Sequence, residues 1–170
     1  MSAPRRFERE AHLGSGADLF DRASSALINW QMHRRAGLVV VVNGPATPGR
    51  VVTLRPGSGP AAWLRITARC EVTDVVHRPG ARGFTYHSLP GHPERGWETF
   101  VVHHDAATDD VRLTITAESS HATLLARIGA PVARAEQDRI TRRYLDALRE
   151  PAPPGQTGQT GQTGQTWPSL

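Results

Sequence analysis

The sequence predicts an α+β fold in which a curved antiparallel sheet of about seven strands surrounds a long, kinked C-terminal helix. Three observations carry that expectation. Short aliphatic runs recur between turn signals, N-G-P, P-G, P-G-S-G-P and R-P-G-A-R-G, over residues 43–83. A late segment alternates without a break: Val111, Leu113, Ile115 and Ala117 point one way, and Arg112, Thr114, Thr116 and Glu118 the other. Segments with helical rather than strand periodicity stand before and after these runs.

In chain order, Phe7 to Leu13 puts Phe7, Arg9, Ala11 and Leu13 on one face, as an edge strand would. Ser15 followed by Asp18 has the spacing of an S-x-x-D helix cap. Phe20, Ala23, Leu27 and Trp30 then recur at helical spacing, and a single helix is expected to run to H-R-R-A-G, with cations in its last turn and Gly37 as its stop. Strands are expected at Leu38 to Val42, Arg50 to Arg55, Ala68 to His77, Gly83 to Ser88, Trp97 to His104 and Val111 to Ser119, joined as sequential hairpins. A second helical region, His121 to Arg149, is interrupted by G-A-P at Gly129 to Pro131 and carries Val132, Ile140, Tyr144, Leu145 and Leu148 as its apolar stripe.

The 170 residues suffice for one domain that removes roughly 70% of the unfolded surface from water. That domain is placed at residues 1–150, because from Pro151 the chain becomes P-A-P-P, four G-Q-T triplets and W-P-S-L. A tail with so little to bury cannot offset its ordering entropy, so residues 151–170 are expected to be disordered. The N-terminus has no apolar stretch of the secretory kind, and the longest aliphatic run, Leu38 to Val42, is far shorter than the ~20 residues of a membrane span. A cytoplasmic protein is expected.

All 20 basic residues are arginine, which excludes Schiff-base, P-loop-lysine and lysine-base chemistry. The net charge is +4, and acids are scattered among the arginines, which disfavours a nucleic-acid surface. The lone Cys70 alternates with Val72 in a strand and reads as a buried, inert thiol. No G-x-S-x-G elbow supports hydrolysis.

The densest chemistry lies in F-T-Y-H-S-L-P-G-H-P-E-R-G-W-E-T-F, from Phe84 to Phe100. Pro90 and Gly91 occupy the central positions of a type II turn, which presents His92 and Glu94 on a stiff loop. Those two form an acid/base pair or a rim contact, or else are solvated and bonded within their own loop. In the next strand Glu98, Phe100, Val102 and His104 share a face. Glu98 then either enters an apolar site, where desolvation raises a carboxyl pKa, or pairs with Arg82 or Arg95. Tyr86, His92, Glu94 and Glu98 are the catalytic candidates. Metal is not expected, because His87, His92, His103 and His104 lack the close pairing of zinc ligands and adjacent strand histidines face apart. No cofactor is implied. His33, Arg34 and Arg35 at the end of the first helix and Arg139, Arg142 and Arg143 on the last either converge on one anionic partner or are solvated helix faces.

Three stretches, W-Q-M-H-R-R-A-G from Trp30 to Gly37, G-F-T-Y-H-S-L-P-G-H-P-E-R-G-W-E-T-F-V-V from Gly83 to Val102 and R-I-T-R-R-Y-L from Arg139 to Leu145, together resemble domain-of-unknown-function family 1990. That family is similar to the START-like, helix-grip proteins, which include polyketide cyclases and plant lipid and hormone carriers. The resemblance implies a cavity between sheet and C-terminal helix and identifies no catalytic residue. It also implies one departure, since Leu38 follows Gly37 with no room for the second short helix that many helix-grip proteins place there.

The expected function is binding of a small apolar or amphipathic molecule in that cavity, with Trp30, Phe84, Tyr86 and Phe100 as lining and Arg34 and Arg142 as polar contacts. The alternatives are an acid/base enzyme of the same fold, and an arginine-based module for RNA or an acidic partner. Ligand identity and oligomeric state are not legible in the sequence.

Overall fold

The computed structural model describes residues 5–58, 67–92, 95–120, 139 and 141–149. Seven strands, β1 (Arg5–Ser15), β2 (Leu38–Val41), β3 (Val51–Pro56), β4 (Ala68–Arg78), β5 (Ala81–Ser88), β6 (Arg95–His104) and β7 (Asp110–Ser120), make one antiparallel sheet. Its order is β1-β7-β6-β5-β4-β3-β2. Helices α1 (Ala17–Ile28) and α2 (Gln31–Arg35) carry the chain from one sheet edge to the other. A further helical stretch, α3, covers residues 141–147. The expected break at Gly129 to Pro131, the stripe members Val132 and Ile140, Glu94 and the tail from Pro151 lie outside the described residues.

Hairpin chemistry places β2 to β7 in sequence order, as the turn signals predict, and the first strand closes beside the last. The ladder shifts register between His12 and Gly14 in β1 and between Val72 and Asp74 in β4. An extra residue on one strand bends it and increases its twist, so these are the places where a flat sheet becomes a curved one. On β7 the alternation read from the sequence appears as burial of Val111, Leu113, Ile115 and Ala117. Val52, Leu54, Cys70, Val72, Phe84, Phe100 and Val102 continue the same inner face across the sheet. Against it lie Leu19, Phe20, Ala23 and Leu27 of α1, with Tyr144 and Leu148 from the C-terminal segment.

Two local expectations are corrected. Ser15 does not cap α1: it remains in β1, paired with Asp110, and Gly16 is the N-cap without a side-chain bond. The backbone N–H of Gly16 donates to Asp109 O at 2.9 Å, so the strand ladder takes the geometry that the cap would need. The helix also does not run unbroken to Gly37. It ends at Asn29, and Trp30 adopts a left-handed conformation (φ 64°) before α2 starts. The second short helix is therefore present. A left-handed tryptophan costs on the order of 1 kcal/mol. Full burial of the indole, whose Nε1–H donates to Gly44 O at 3.2 Å, offsets that cost.

Candidate functional site

Tyr86 on β5 and Glu98 on β6 are directly opposite in the ladder, both on the inner face. The Tyr86 hydroxyl donates to Glu98 Oε2 at 2.5 Å. One step further into the core, the pair Phe84 and Phe100 forms an apolar floor. One step outward the ladder gives way to the connection that begins at Leu89. His92 N–H donates to Leu89 O at 3.0 Å with Gly91 at φ 88°, the geometry that proline followed by glycine favours. Gly96 N–H donates to Ser88 Oγ at 2.9 Å and holds the far side.

These residues bound a cleft of about 60 Å³ lined by Cys70, Tyr86, Ser88, His92, Gly96, Trp97, Glu98 and Glu118. The structure thus brings together Tyr86, His92 and Glu98, while Glu94 lies outside the described residues. Arg82 pairs elsewhere, with Asp21 at 2.8 Å. Arg34 and Arg142 are exposed and take no part in the lining. The helices that carry the two arginine groups are tied together by other members: Arg35 donates to Ala147 O at 3.2 Å and Arg143 to Ala36 O at 3.4 Å. Each arginine thereby reaches a carbonyl near the C-terminal end of the other helix.

Burial governs the protonation of this region. It pushes the Tyr86 hydroxyl well above its ordinary range, and the Glu98 charge adds to the effect. Tyr144, hydrogen-bonded to Tyr86, is raised by burial and then by Glu98. Burial first and Glu98 second also push up the Cys70 thiol, which is inert as a nucleophile on that account. Tyr86, Tyr144 and Cys70 are therefore all neutral at neutral pH, and Tyr86 is the one that donates to Glu98. Among the described residues no three His, Cys, Asp or Glu side chains are grouped to hold a metal.

The sequence reading misses His33, which it assigns to a cationic helix end. His33 is fully buried against the rings of Trp30, Phe100 and Tyr144 at 5.3, 5.2 and 5.0 Å between centroids, and neither ring nitrogen has a partner among the described residues. Burial, with Arg34 adding repulsion, pulls its pKa down to about 3. In one continuous helix the stripe Leu27, Trp30 would continue to Arg34. The left-handed Trp30 resets the phase and turns Met32, His33 and Ala36 inward instead. Trp30, Phe84 and Phe100, expected as lining, pack on one another, with Phe84 4.9 Å from Trp30 and 5.6 Å from Phe100.

A curved antiparallel sheet with crossing helices and a C-terminal helix that contributes to its core defines a helix-grip protein, a fold compatible with ligand binding. The chain belongs to the domain of unknown function family DUF1990, whose model matches residues 3–147. It is 32% identical over 154 residues to a UPF0548 protein of Deinococcus radiodurans, covering 85% of this chain and 76% of that one. Among solved structures it resembles hypothetical protein jhp0584 from Helicobacter pylori, with a TM-score of 0.64, 12% identity and 85% of each chain covered. It also resembles norcoclaurine synthase from Thalictrum flavum in complex with dopamine and hydroxybenzaldehyde, with a TM-score of 0.53, 10% identity and coverage of 86% of this chain and 87% of that one. At these identities the structural likeness establishes the fold alone. No helix among the described residues is long and apolar enough to cross a membrane.

Proposed function

We propose that the protein binds a small amphipathic molecule whose polar end enters the cleft beside Tyr86 and Glu98. The half-buried Tyr86–Glu98 hydrogen bond at an open cleft carries this reading. A carboxylate on the core face of a sheet requires partners, and one presented to a cleft offers a ligand an oriented acceptor. Phe84, Phe100 and Trp30 form the apolar layer behind it. The norcoclaurine synthase that shares the fold is in complex with dopamine and hydroxybenzaldehyde, and that supports small aromatic molecules as the size class.

Native mass spectrometry of protein purified from the cells that make it tests the proposal. A retained small organic mass is expected, and Ser88→Phe, which fills the cleft, removes it. A wild-type mass equal to the bare chain, with no amphipathic fragment shifting the NMR resonances of Tyr86 and Glu98, sinks the reading.

The Tyr144–Tyr86–Glu98 chain favours a second reading, in which Glu98 exchanges a proton with a bound carbonyl compound and Tyr86 holds the carboxylate in place. This reading predicts solvent-deuterium exchange into a carbonyl ligand at its α carbon. Glu98→Gln would abolish the exchange, whereas Tyr86→Phe would only slow it.

A further inference from the structure

The run L-V-V-V-V, from Leu38 to Val42, carries no charge, glycine or proline, and its first four residues are the edge strand β2. Among the described residues its one ladder neighbour is β3. Gly57 N–H donates to Gly37 O at 2.9 Å, and the same register sets Val39 opposite Arg55 and Val41 opposite Thr53. Those alternate pairs carry the β2–β3 bonds, and Pro56, opposite Leu38, has no N–H to give. Antiparallel alternation therefore turns the backbone N–H and C=O of Leu38 and Val40 away from β3, along the open edge. The exposed large apolar side chains among the described residues are Val39, Val41 and Val51. Val39 and Val41 alternate with Leu38 and Val40, which pack on the core. Val51 is in phase with Thr53, the partner of Val41, so all three valines share the outer face at this one edge.

Sheet edges are ordinarily protected by charge, proline or a bulge. The opposite edge of this sheet has two of these devices: β1 carries Arg5, Arg6, Glu8, Arg9, Glu10 and His12, and its register shifts between His12 and Gly14. β2 has neither, and its shortness limits the strength of pairing rather than preventing it. We propose that β2 docks a second copy of this chain, β2 against β2 and antiparallel, so that two sheets continue into one. A two-fold axis beside Val40 sets Val40 opposite Val40 of the second copy and Leu38 opposite its Val42, which brings the outward N–H and C=O groups face to face. The same axis lays Val39 beside Val41 of the second copy on the outer face, so exposed apolar carbon leaves water as the bonds form. A two-fold contact sets each charge near its own copy, and a strand without charge meets no repulsion there. The edge is independent of the cleft, whose Tyr86 and Glu98 stand on β5 and β6.

Sedimentation velocity of the full chain from about 5 to about 500 µM tests the proposal, with amide hydrogen exchange read by NMR at both ends of that range. The expected result is a reversible monomer–dimer equilibrium with a dissociation constant on the order of 10–100 µM, as suits an interface below ~1,200 Å². Exchange at the Leu38 and Val40 amides should slow about fivefold as the dimer fills, while the Val39 and Val41 amides, already bonded to β3, keep their rates. Val40→Pro removes the outward N–H and leaves the β2–β3 bonds in place, and Val41→Lys puts a charge on the exposed strip. Each should weaken association at least about tenfold. If Val40→Pro does not fold, Val41→Lys, a change at an exposed side chain, decides alone. A chain that stays monomeric at the highest concentration overturns the proposal. So does a dimer that the folded variants leave intact, because its contact then lies elsewhere.

Discussion

Gly83 and Phe100 approach so closely across the β5–β6 ladder that a Cβ on Gly83 would stand 1.9 Å from the Phe100 carbonyl oxygen. That oxygen belongs to backbone and cannot swing aside. The two strands carrying Tyr86 and Glu98 are brought together at this point, so the spacing of the candidate site depends on a missing methyl group.

Gly83→Ala is therefore expected to destabilise the fold by about 2–4 kcal/mol, the range of severe overpacking. Urea denaturation measures it directly. A midpoint within error of the wild type would show that β5 and β6 separate without cost.

His33 makes the protein sensitive to acid. Its folded pKa, about 3, lies below the ordinary histidine value of 6.5. The unfolded chain consequently takes up a proton that the folded one refuses between pH 6.5 and 3. Stability from this group is complete above pH 6.5 and falls by about 1.4 kcal/mol for each pH unit below it, levelling off near pH 3. His33→Phe, which keeps an aromatic ring in the cluster, should remove that slope. Parallel melts from pH 7 to pH 4 check it: curves for the two proteins that stay parallel contradict the assignment.

Arg82 ties α1 to β5 in two ways, with its guanidinium 5.0 Å over the Phe20 ring and 2.8 Å from Asp21 Oδ1. The carboxylate is exposed, so the ion pair contributes little, whereas the ring contact and the packed stem persist without it. Asp21→Ala should cost less than about 0.5 kcal/mol and Arg82→Ala about 1–2 kcal/mol. Equal losses in thermal unfolding would assign the tether to charge alone.

The sheet was legible because its determinants are local. β7 alternates strictly, Pro90–Gly91 fits one turn type, and every hairpin from β2 to β6 carries its own glycine or proline, while β6 and β7 join through D-A-A-T-D, so strand ends are found to within two or three residues. The same alternation puts Glu98 on the face of Phe100, and hence in the cleft with Tyr86. What escaped the sequence reading depends on a single dihedral angle. Nothing in I-N-W-Q-M-H-R-R announces that Trp30 turns left-handed, because the compensation comes from distant residues: Gly44 accepting the indole N–H and the ring of Phe84 closing over it. From that one angle follow the second helix, the inward His33 and the outward Arg34. The two arginine groups were read either as converging on one anionic partner or as solvated faces, and neither reading anticipated that Arg35 and Arg143 would donate to carbonyls across the helix ends.

The position of β1 has a consequence for the chain as it is made. Arg5 finds its ladder partner in Ser119, and the rest of β1 apart from the bulged Leu13 likewise pairs with β7, while the hairpins from β2 to β7 close on near neighbours. The first strand to leave a ribosome is thus the last to be seated. Until β7 emerges, Phe7, Ala11 and Leu13 have no sheet to join, and loop closure over most of the domain must precede the final gain in burial. A ribosome stalled before residue 110 would hold a meander of hairpins with an idle N-terminal arm, open to proteases until the last strand arrives.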